Sequence, residues 1–260
     1  MTERATAVAQ KLPTNDAPYT TALYRDPNTG RRRRSRIVSE LSGLPFELSE
    51  PIRTFPAYRG KRAHEGRYWF SRSASHVRFE SRFESTALMT LDFGGDALQV
   101  SSNPFWLLWP KGSVPKRHAP DFFVRRRDGS VLVVDVKPEE RISDRDRIQH
   151  SRTREVCNEL GWSYEEFTKI DVAVDRNLRL LRGYHHSRFA PAADIRAAIA
   201  AQVGLGRTQA IPLADLIGAV SECTDASDEE VICSIYHMLW RGDLHTDLAN
   251  PLSWNSAVQR

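Results

Sequence analysis

The most informative stretch of the chain is HAPDFFVRRRDGSVLVVDVKP, residues 118–138. Two apolar runs flank Asp128-Gly129, and an Asp-Gly pair in that position is a strong signal for a β-hairpin. Alternate residues of a strand share one face, so Asp135 and Lys137 point the same way. The hairpin folds Asp121 back beside that strand. The sequence therefore predicts that two carboxylates and one ammonium group meet at the end of this hairpin.

The three charged groups have a specific chemical meaning in this position. Burying them unpaired would cost several kcal/mol. A hard divalent cation offsets the repulsion between the carboxylates, and Mg²⁺ suits one or two carboxylates together with waters and phosphate oxygens. Lys137 can then position or deprotonate a water, or stabilise the charge that develops on a phosphorane. The alternative interpretation is a surface salt bridge between Lys137 and the two aspartates.

A helix that precedes the hairpin offers a third acid. It is predicted from about Glu80 to Phe93, because apolar residues recur there at helical spacing and Gly94-Gly95 follows. Glu84 lies on the same stripe as Leu88 and is preferred as the inward-facing acid. Glu80 lies nearer the helix start and is interpreted as a capping or exposed residue. The pattern favours Glu84 without excluding Glu80.

Three regions are predicted along the chain. Residues 1–48 are polar, include the run Arg31-Arg32-Arg33-Arg34, and are predicted to be a mobile basic arm, whose arginines either hold DNA phosphates or are simply solvated. Residues 49–171 alternate strands and helices, which indicates a mixed α/β domain around one sheet. Residues 172–260 contain helix patterns and a short β-tail at 242–248, typical of a winged-helix domain, with a plain helical bundle as the alternative.

The individual elements follow from hydrophobic periodicity and turn residues. The predicted strands are 52–59 and 66–71 around a polar turn at 60–65, then 98–101, 105–109, 118–124, 131–137 and 163–168. The predicted helices after the first are 143–160, 177–184, 192–203, 212–220 and 228–241.

The charge distribution points to two kinds of partner. The 260-residue chain has 37 Lys and Arg against 33 Asp and Glu. Residues 1–190 hold 33 of the basic and 24 of the acidic residues, a net +9, whereas residues 191–260 hold 4 and 9, a net −5. A basic body favours nucleic acid, and an acidic C-terminal region favours protein contacts, with ordinary variation of surface charge as the alternative. Scattered cysteines and the lack of an apolar signal or membrane-length run predict a cytoplasmic protein with no membrane partner.

The residues around the hairpin resemble a known class of enzymes. Pro120-Asp121 followed by Asp135-x-Lys137 resembles the motif of the PD-(D/E)xK nucleases, and the wider text from ESTALMTLDF (84–93) to SVLVVDVKP (130–138) is similar to the TnsA-type endonuclease subunit of heteromeric transposases. The resemblance covers about residues 50–185. It implies a restriction-endonuclease-like α/β fold, one or two Mg²⁺ ions (with Mn²⁺ as a substitute), and cleavage at the 5′ ends of a transposon. It also implies a partner transposase and a regulatory ATPase.

The same resemblance assigns roles to individual residues. Glu84 is the helix acid, Asp121 and Asp135 are the strand acids, and Lys137 is the catalytic lysine; the three carboxylates are the expected metal ligands. The match to the residues after Glu84 also decides between the two candidate glutamates. Asn103 stands where the family has Gln before Pro-Phe, and some members have Gln at the position of Asp135.

Basic residues near the site are candidates for DNA contact. Four of them are expected to bind the phosphate backbone: Lys116, Arg117, Arg125 and Arg152. Solvated faces paired with neighbouring acids are the alternative. Two other functions stay open, namely another PD-(D/E)xK enzyme, such as a restriction or junction-resolving nuclease, and a non-catalytic DNA-binding assembly subunit. The complete set of acids and lysine argues against the last of these.

Overall fold

The computed structural model describes residues 17–37, 39–53, 64–204 and 210–260. These ranges form a mixed α/β structure, which confirms the predicted class. The strands are β1 (Thr21–Arg25), β2 (Arg32–Arg36), β3 (Gly66–Phe70), β4 (Ser75–Phe79), β5 (Ala97–Ser102), β6 (Phe105–Leu108), β7 (Arg117–His118), β8 (Phe122–Arg126), β9 (Val131–Val136), β10 (Ser163–Phe167), β11 (Ile211–Pro212), β12 (His245–Thr246) and β13 (Ala257–Gln259). The helices are α1 (Arg82–Gly94), α2 (Asp144–Glu159), α3 (Val172–Arg182), α4 (Ala193–Gln202), α5 (Leu213–Cys223) and α6 (Asp228–Arg241).

One four-stranded sheet, in the order β10-β9-β8-β5, carries the predicted hairpin. Strand β9 is antiparallel to β8 and parallel to β10, and α2 makes the crossover between β9 and β10. Along β9, Leu132 and Val134 pack into one apolar cluster with α1, whereas Val131 and Val133 pack into a second cluster with α2. The near-continuous apolar run of β9 is explained by this burial on both faces.

The helices begin and end at residues that the sequence marks. Ser81 caps α1, and Gly95 ends it in the left-handed region with φ 76°. Ser143 and Asp146 form a capping box at the start of α2, and Ser227 forms another with Glu230 at the start of α6. None of the helices in the described ranges has the length and apolarity needed to span a bilayer.

The prediction of a separate mobile arm is wrong for the part of residues 1–48 that the structure describes. Strands β1 and β2 form a hairpin, and β1 also pairs with β6 in a second four-stranded sheet of order β2-β1-β6-β7. Ala22 and Tyr24 are buried against Phe105 and Leu107. The run TALYR alternates buried and half-buried residues, and this short period-2 pattern supplies the apolar face that fixes the hairpin to the sheet. Residues 1–16 lie outside the described ranges.

The strand predicted at 52–59 is not confirmed. Residues 51–53 are not in a strand, and residues 54–63 lie outside the described ranges. Strand β3 is confirmed, but it pairs with β4, whose text SHVRF is too short and polar to be recognised as a strand from its pattern. The two-stranded sheet places Tyr68 and Val77 opposite each other in the apolar core next to α1.

The C-terminal region shares its core with the preceding part of the chain. One apolar cluster runs from Leu88 in α1 to Trp240 in α6. The indole nitrogen of Trp240 donates a hydrogen bond to Ser71 Oγ at 3.3 Å. The β-tail predicted at 242–248 contains β12, which belongs to a small sheet of order β11-β13-β12 that includes residues beyond 250.

Candidate active site

The hairpin of β8 and β9 brings Asp121 beside Asp135. Phe122 pairs with Val134, so the next position along the ladder places the two aspartates opposite each other. Asp121 Oδ2 accepts a hydrogen bond from the backbone N–H of Val136 at 2.8 Å. The turn between the strands contains Gly129 at φ 83°, a conformation that glycine adopts without a Cβ penalty. The hairpin and the approach of the two aspartates agree with the prediction.

Asp135 is surrounded by internal hydrogen-bond donors. Its side chain is only 2% exposed. His118 Nε2 lies 2.8 Å from Oδ1 and 2.9 Å from Oδ2, and the Tyr164 hydroxyl donates to Oδ2 at 2.7 Å. Burial alone would raise the pKa of Asp135, but the charge and hydrogen bond of His118 and the hydroxyl of Tyr164 outweigh it and lower the pKa. Asp135 is therefore held as a carboxylate.

The residues that hold Asp135 were not found by sequence reasoning. His118 stands in β7, and its Nδ1 forms a short hydrogen bond with the side chain of Gln149 in α2. Tyr164 comes from β10, the strand parallel to β9. His118 is the first residue of the stretch 118–138 and precedes Asp121 by only three residues. The contacts with Gln149 and Tyr164 depend on how α2 and β10 pack, and no local pattern announces them.

Asp121 is the acid with the least compensation. Its side chain is 17% exposed, and Arg53 approaches its Oδ1 at 3.9 Å. Burial, then the nearby charges of Asp135 and Glu84, raise the pKa of Asp121 well above its usual range. The backbone around Asp121 is fixed, because its carbonyl accepts a hydrogen bond from Asn103 N at 2.8 Å. A carboxylate in this position is suited to an additional cation.

Glu84 lies at the third position of α1 and closes its N-terminus. Its carboxylate accepts hydrogen bonds from the backbone N–H of Glu80 at 2.7 Å and from Ser81 Oγ at 3.1 Å. Burial raises the pKa of Glu84. The inward orientation agrees with the preference for Glu84, but the capping function expected of Glu80 belongs to Ser81 and Glu84. The sequence does not distinguish which of Glu80 and Glu84 caps the helix, whereas the hydrogen bonds in the structure do.

Glu80 belongs to a cluster next to Asp121. Arg53 donates to Glu80 Oε2 at 3.2 Å, and Asn103 Nδ2 donates to Glu80 Oε1 at 3.3 Å. Asn103 also accepts a short hydrogen bond from Arg53 Nε. Asn103 is 3% exposed and has φ 45°, a left-handed conformation that asparagine tolerates better than most residues. Asn103 is therefore a buried residue that joins Arg53, Glu80 and the backbone of Asp121.

Lys137 has its ion-pair partner outside the expected set of acids. Its ammonium forms an ion pair with Asp146 Oδ1 at 2.7 Å, at the start of α2. Partial burial alone would raise the pKa of Asp146, but Lys137 and the hydrogen bonds from Ser143 lower it to about 2. The ammonium of Lys137 is therefore engaged by a carboxylate on α2 that was not among the expected acids, and its action with Asp121 and Asp135 stays a prediction.

The Asp146 pair predicts a dependence of stability on pH. The pKa of Asp146 is lower in the folded chain than its ordinary 3.8, so its contribution is complete above that value and is lost as the pH falls toward 2. Asp146→Ala is expected to reduce the free energy of unfolding by about 0.5–2 kcal/mol at neutral pH through loss of the capping box. In urea titrations the difference from the parent should shrink between pH 4 and pH 2. Asp144→Ala, an exposed acid in the same turn, is the control; an equal effect there would contradict the assignment.

The four basic residues expected to contact DNA differ in their surroundings. Lys116 and Arg117 are exposed. Arg152 lies over the Trp109 ring at 6.0 Å and donates to the Val114 carbonyl at 3.4 Å. Arg125 forms a two-point ion pair with Glu47, with both contacts at 3.1 Å. The guanidinium of Arg125 is therefore committed within the protein, and we do not retain it among the DNA contacts.

The three expected ligands do not form a preassembled metal cage. Among the described residues, no group of three His, Cys, Asp or Glu side chains is placed to hold a metal ion. Glu84 is engaged by the start of α1. Mg²⁺, however, needs only one or two carboxylates, because waters and phosphate oxygens complete its coordination. Asp121 and Asp135 provide such a pair. Asp121 Oδ2 accepts from Val136 N–H and Asp135 Oδ1 accepts from His118, and an ionised carboxylate oxygen has two lone pairs, so both side chains keep acceptor capacity. The donor set fits a hard divalent cation.

No protein-family model matches the chain, and no curated protein matches it.

Proposed function

We propose that this chain is a Mg²⁺-dependent DNA endonuclease of the PD-(D/E)xK type. In this proposal the sheet of β5 and β8–β10, with α1 and α2 on its two faces, is a restriction-endonuclease-like core. The observation that carries the proposal is the juxtaposition of Asp121 and Asp135 at one end of a buried hairpin, with Glu84 near enough to raise the pKa of Asp121. A structural salt bridge would not require such an accumulation of negative charge.

The chain's own residues divide the work. Asp121 and Asp135 would hold the cation, which when bound offsets their repulsion and stabilises charge on the phosphate oxygens. Val136 N–H and Asn103 fix Asp121, while His118 and Tyr164 fix Asp135. These contacts keep the carboxylates in place before substrate arrives, which is the preorganisation that a reactive site needs.

Lys137 must turn toward the phosphate to take part in hydrolysis. Its flexible four-carbon stem can swing from Asp146 when a phosphate supplies a competing negative charge. There it would position a water or stabilise the developing negative charge. The pair with Asp146 would then be a resting state of the site.

We further propose that the chain acts beside a partner transposase at the 5′ ends of a transposon. This narrower assignment rests on the resemblance to the TnsA-type subunit and on the net −5 charge of residues 191–260, which suits protein contacts better than phosphates. Helices α3–α6 with the small sheet of β11–β13 would form the winged-helix-like part that meets the partner proteins, including a regulatory ATPase. We propose that the protein acts in the cytoplasm.

A second function is favoured by one observation. Because Lys137 is paired with Asp146 and the Asp135 carboxylate already accepts hydrogen bonds from His118 and Tyr164, the chain would also suit a DNA-binding assembly subunit that does not cut.

Substitution of Lys137 distinguishes the two. With the partner transposase, transposon-end DNA and Mg²⁺, Lys137→Ala is expected to lower the rate of 5′-strand cleavage by about 10²–10⁴-fold, the range for loss of a group that handles a proton. Asp146→Ala, which frees the same lysine, should retain cleavage. If the parent chain assembles on the DNA but hydrolyses nothing in Mg²⁺, and Lys137→Ala assembles equally well, the non-catalytic function is correct.

A further inference from the structure

One face of the sheet β2-β1-β6-β7 is strongly basic. In β1 the inward positions are Ala22 and Tyr24, so the alternate positions point outward. Residues that pair across neighbouring strands lie on the same face of a sheet, so the register identifies the outward residues of the other strands. On β2 these are Arg36, Arg34 and Arg32, which pair with Thr21, Leu23 and Arg25. On β6 and β7 they include Trp106, which pairs with Leu23, and Arg117, which pairs with Leu108. We call this surface the arginine face and define it as Arg25, Arg32, Arg34, Arg36, Trp106 and Arg117.

The same register separates Arg33 from the arginine face. Arg33 pairs with inward-facing Tyr24, and its guanidinium forms an ion pair with Asp26 at 2.7 Å. The run of four arginines at 31–34 is therefore divided by the strand into residues with different surroundings. Arg32 and Arg34 remain on the outward side together with Arg36, and all three are exposed. Successive members are about 6.8 Å apart along the strand, so each can meet a different phosphate.

Trp106 connects the arginine face to the candidate active site. Arg117 lies over its ring at 4.5 Å and Arg53 approaches it at 5.6 Å. Arg53 in turn reaches Asp121 at 3.9 Å, and the residue after Arg117 is His118, which holds Asp135. The basic surface and the carboxylates thus share one border, and a phosphate backbone lying on the first would continue toward the second.

The number and position of the arginines on this surface are not explained by protection of an edge strand alone. Charged residues on an edge strand such as β2 discourage pairing with another chain. That explanation does not cover Arg25, which lies on the interior strand β1. Among the outward residues of these four described strands there is no Asp or Glu, so five guanidinium groups lack a carboxylate of the same face. Their mutual repulsion is unfavourable unless a polyanion covers them.

We infer that the arginine face binds the backbone of duplex DNA and guides it toward Asp121 and Asp135. The inference rests on the proposed nuclease function and adds to it the surface that receives the DNA. The contacts are to phosphates, so they fix position without reading sequence. The Trp106 ring holds the guanidinium groups of Arg117 and Arg53 through cation–π contacts.

The test is DNA binding as a function of salt. Binding of the full chain to a fluorescent duplex is measured in EDTA by anisotropy, for the parent and for Arg32→Gln/Arg34→Gln/Arg36→Gln. Loss of three phosphate contacts is expected to reduce the slope of log K against log[salt] by about 2.7 in magnitude and to weaken binding at least tenfold at low salt. The melting temperature is recorded for each variant, so that unfolding is not mistaken for lost contacts.

Two controls keep the result specific. Arg33→Gln removes one arginine charge from the same strand but on the other face. Arg176→Gln/Arg188→Gln/Arg260→Gln removes three charges from the C-terminal region, as many as the arginine-face variant. Both controls should leave the slope unchanged. An unchanged slope in the arginine-face variant, or an equal loss in the second control, would overturn the inference. So would binding to vesicles of anionic lipid without binding to the duplex. If DNA binding behaves as expected but no variant of the site affects cleavage, the proposed function fails and the binding surface stands.

Discussion

Replacing Asp121 with asparagine is expected to stabilise the folded chain while abolishing its binding of Mg²⁺. The substitution keeps an oxygen that can accept the hydrogen bond from Val136 N–H and removes a charge that burial and two neighbouring acids oppose. Arg53 is not orphaned, because Glu80 holds it at 3.2 Å. Relief of 1 kcal/mol would raise the melting temperature by roughly 2–4 °C for a chain of this size. Calorimetry measures both the unfolding transition and the heat of Mg²⁺ binding.

The matched control is Asp128→Asn at the tip of the same hairpin. Asp128 is exposed, and hydrogen bonding from the Ser130 side chain and from Ser130 N–H lowers the pKa of its carboxyl. Asparagine there should leave Mg²⁺ binding intact and change stability slightly in the unfavourable direction. If Asp121→Asn lowers the melting temperature while Mg²⁺ still binds, Asp121 is a structural residue and the assignment of the metal site is incorrect.

Replacing Trp240 with alanine is expected to cost about 3–5 kcal/mol, the range for removal of a large aromatic side chain from a core. Trp240 is fully buried, lies edge-on to Phe93 at 5.5 Å and to His185 at 5.6 Å, and donates to Ser71. These partners belong to the α/β part of the chain and to the segment after α3. One cooperative unfolding transition, lowered by roughly 6–20 °C, is therefore expected.

Trp254→Ala is the control, since this tryptophan is 57% exposed. It should shift the transition by far less. Two separate transitions in the parent chain, of which Trp240→Ala moves only one, would show that residues 172–260 fold independently. The domain boundary predicted at 171 would then separate two independently folding domains, and the shared apolar cluster would be an interface between them.

Local patterns were sufficient for most of the helices and for the hairpin. Capping residues and glycines mark where α1, α2 and α6 begin and end, and Asp128-Gly129 marks the turn. The sheet of β1, β2, β6 and β7 could not be predicted, because β1 has only five residues and the arginines of β2 have the composition of a solvated segment. Its stability comes from long-range pairing with β6, which a local pattern does not contain.

The two central carboxylates of the candidate site were predictable from the sequence, but the residues that hold them were not. Asp121 and Asp135 follow from strand alternation and one turn. The partners of Asp135 come from β7 and β10, and the partner of Lys137 comes from α2, so their contacts depend on how separate elements pack. Capping also engages Glu84 more directly than its place on the helix stripe indicated.

The central claim is that Asp121 and Asp135 form the metal-dependent centre of a DNA endonuclease. The most direct measurement is strand-resolved cleavage of transposon-end DNA in Mg²⁺ by the chain with the proposed partner transposase. We predict a cut at the 5′ ends that is lost in EDTA and slowed at least about 10³-fold by Asp121→Asn, since a catalytic cation supplies several kcal/mol of transition-state stabilisation. Cleavage at the parent rate by Asp121→Asn, or cleavage that persists in EDTA, would contradict the account.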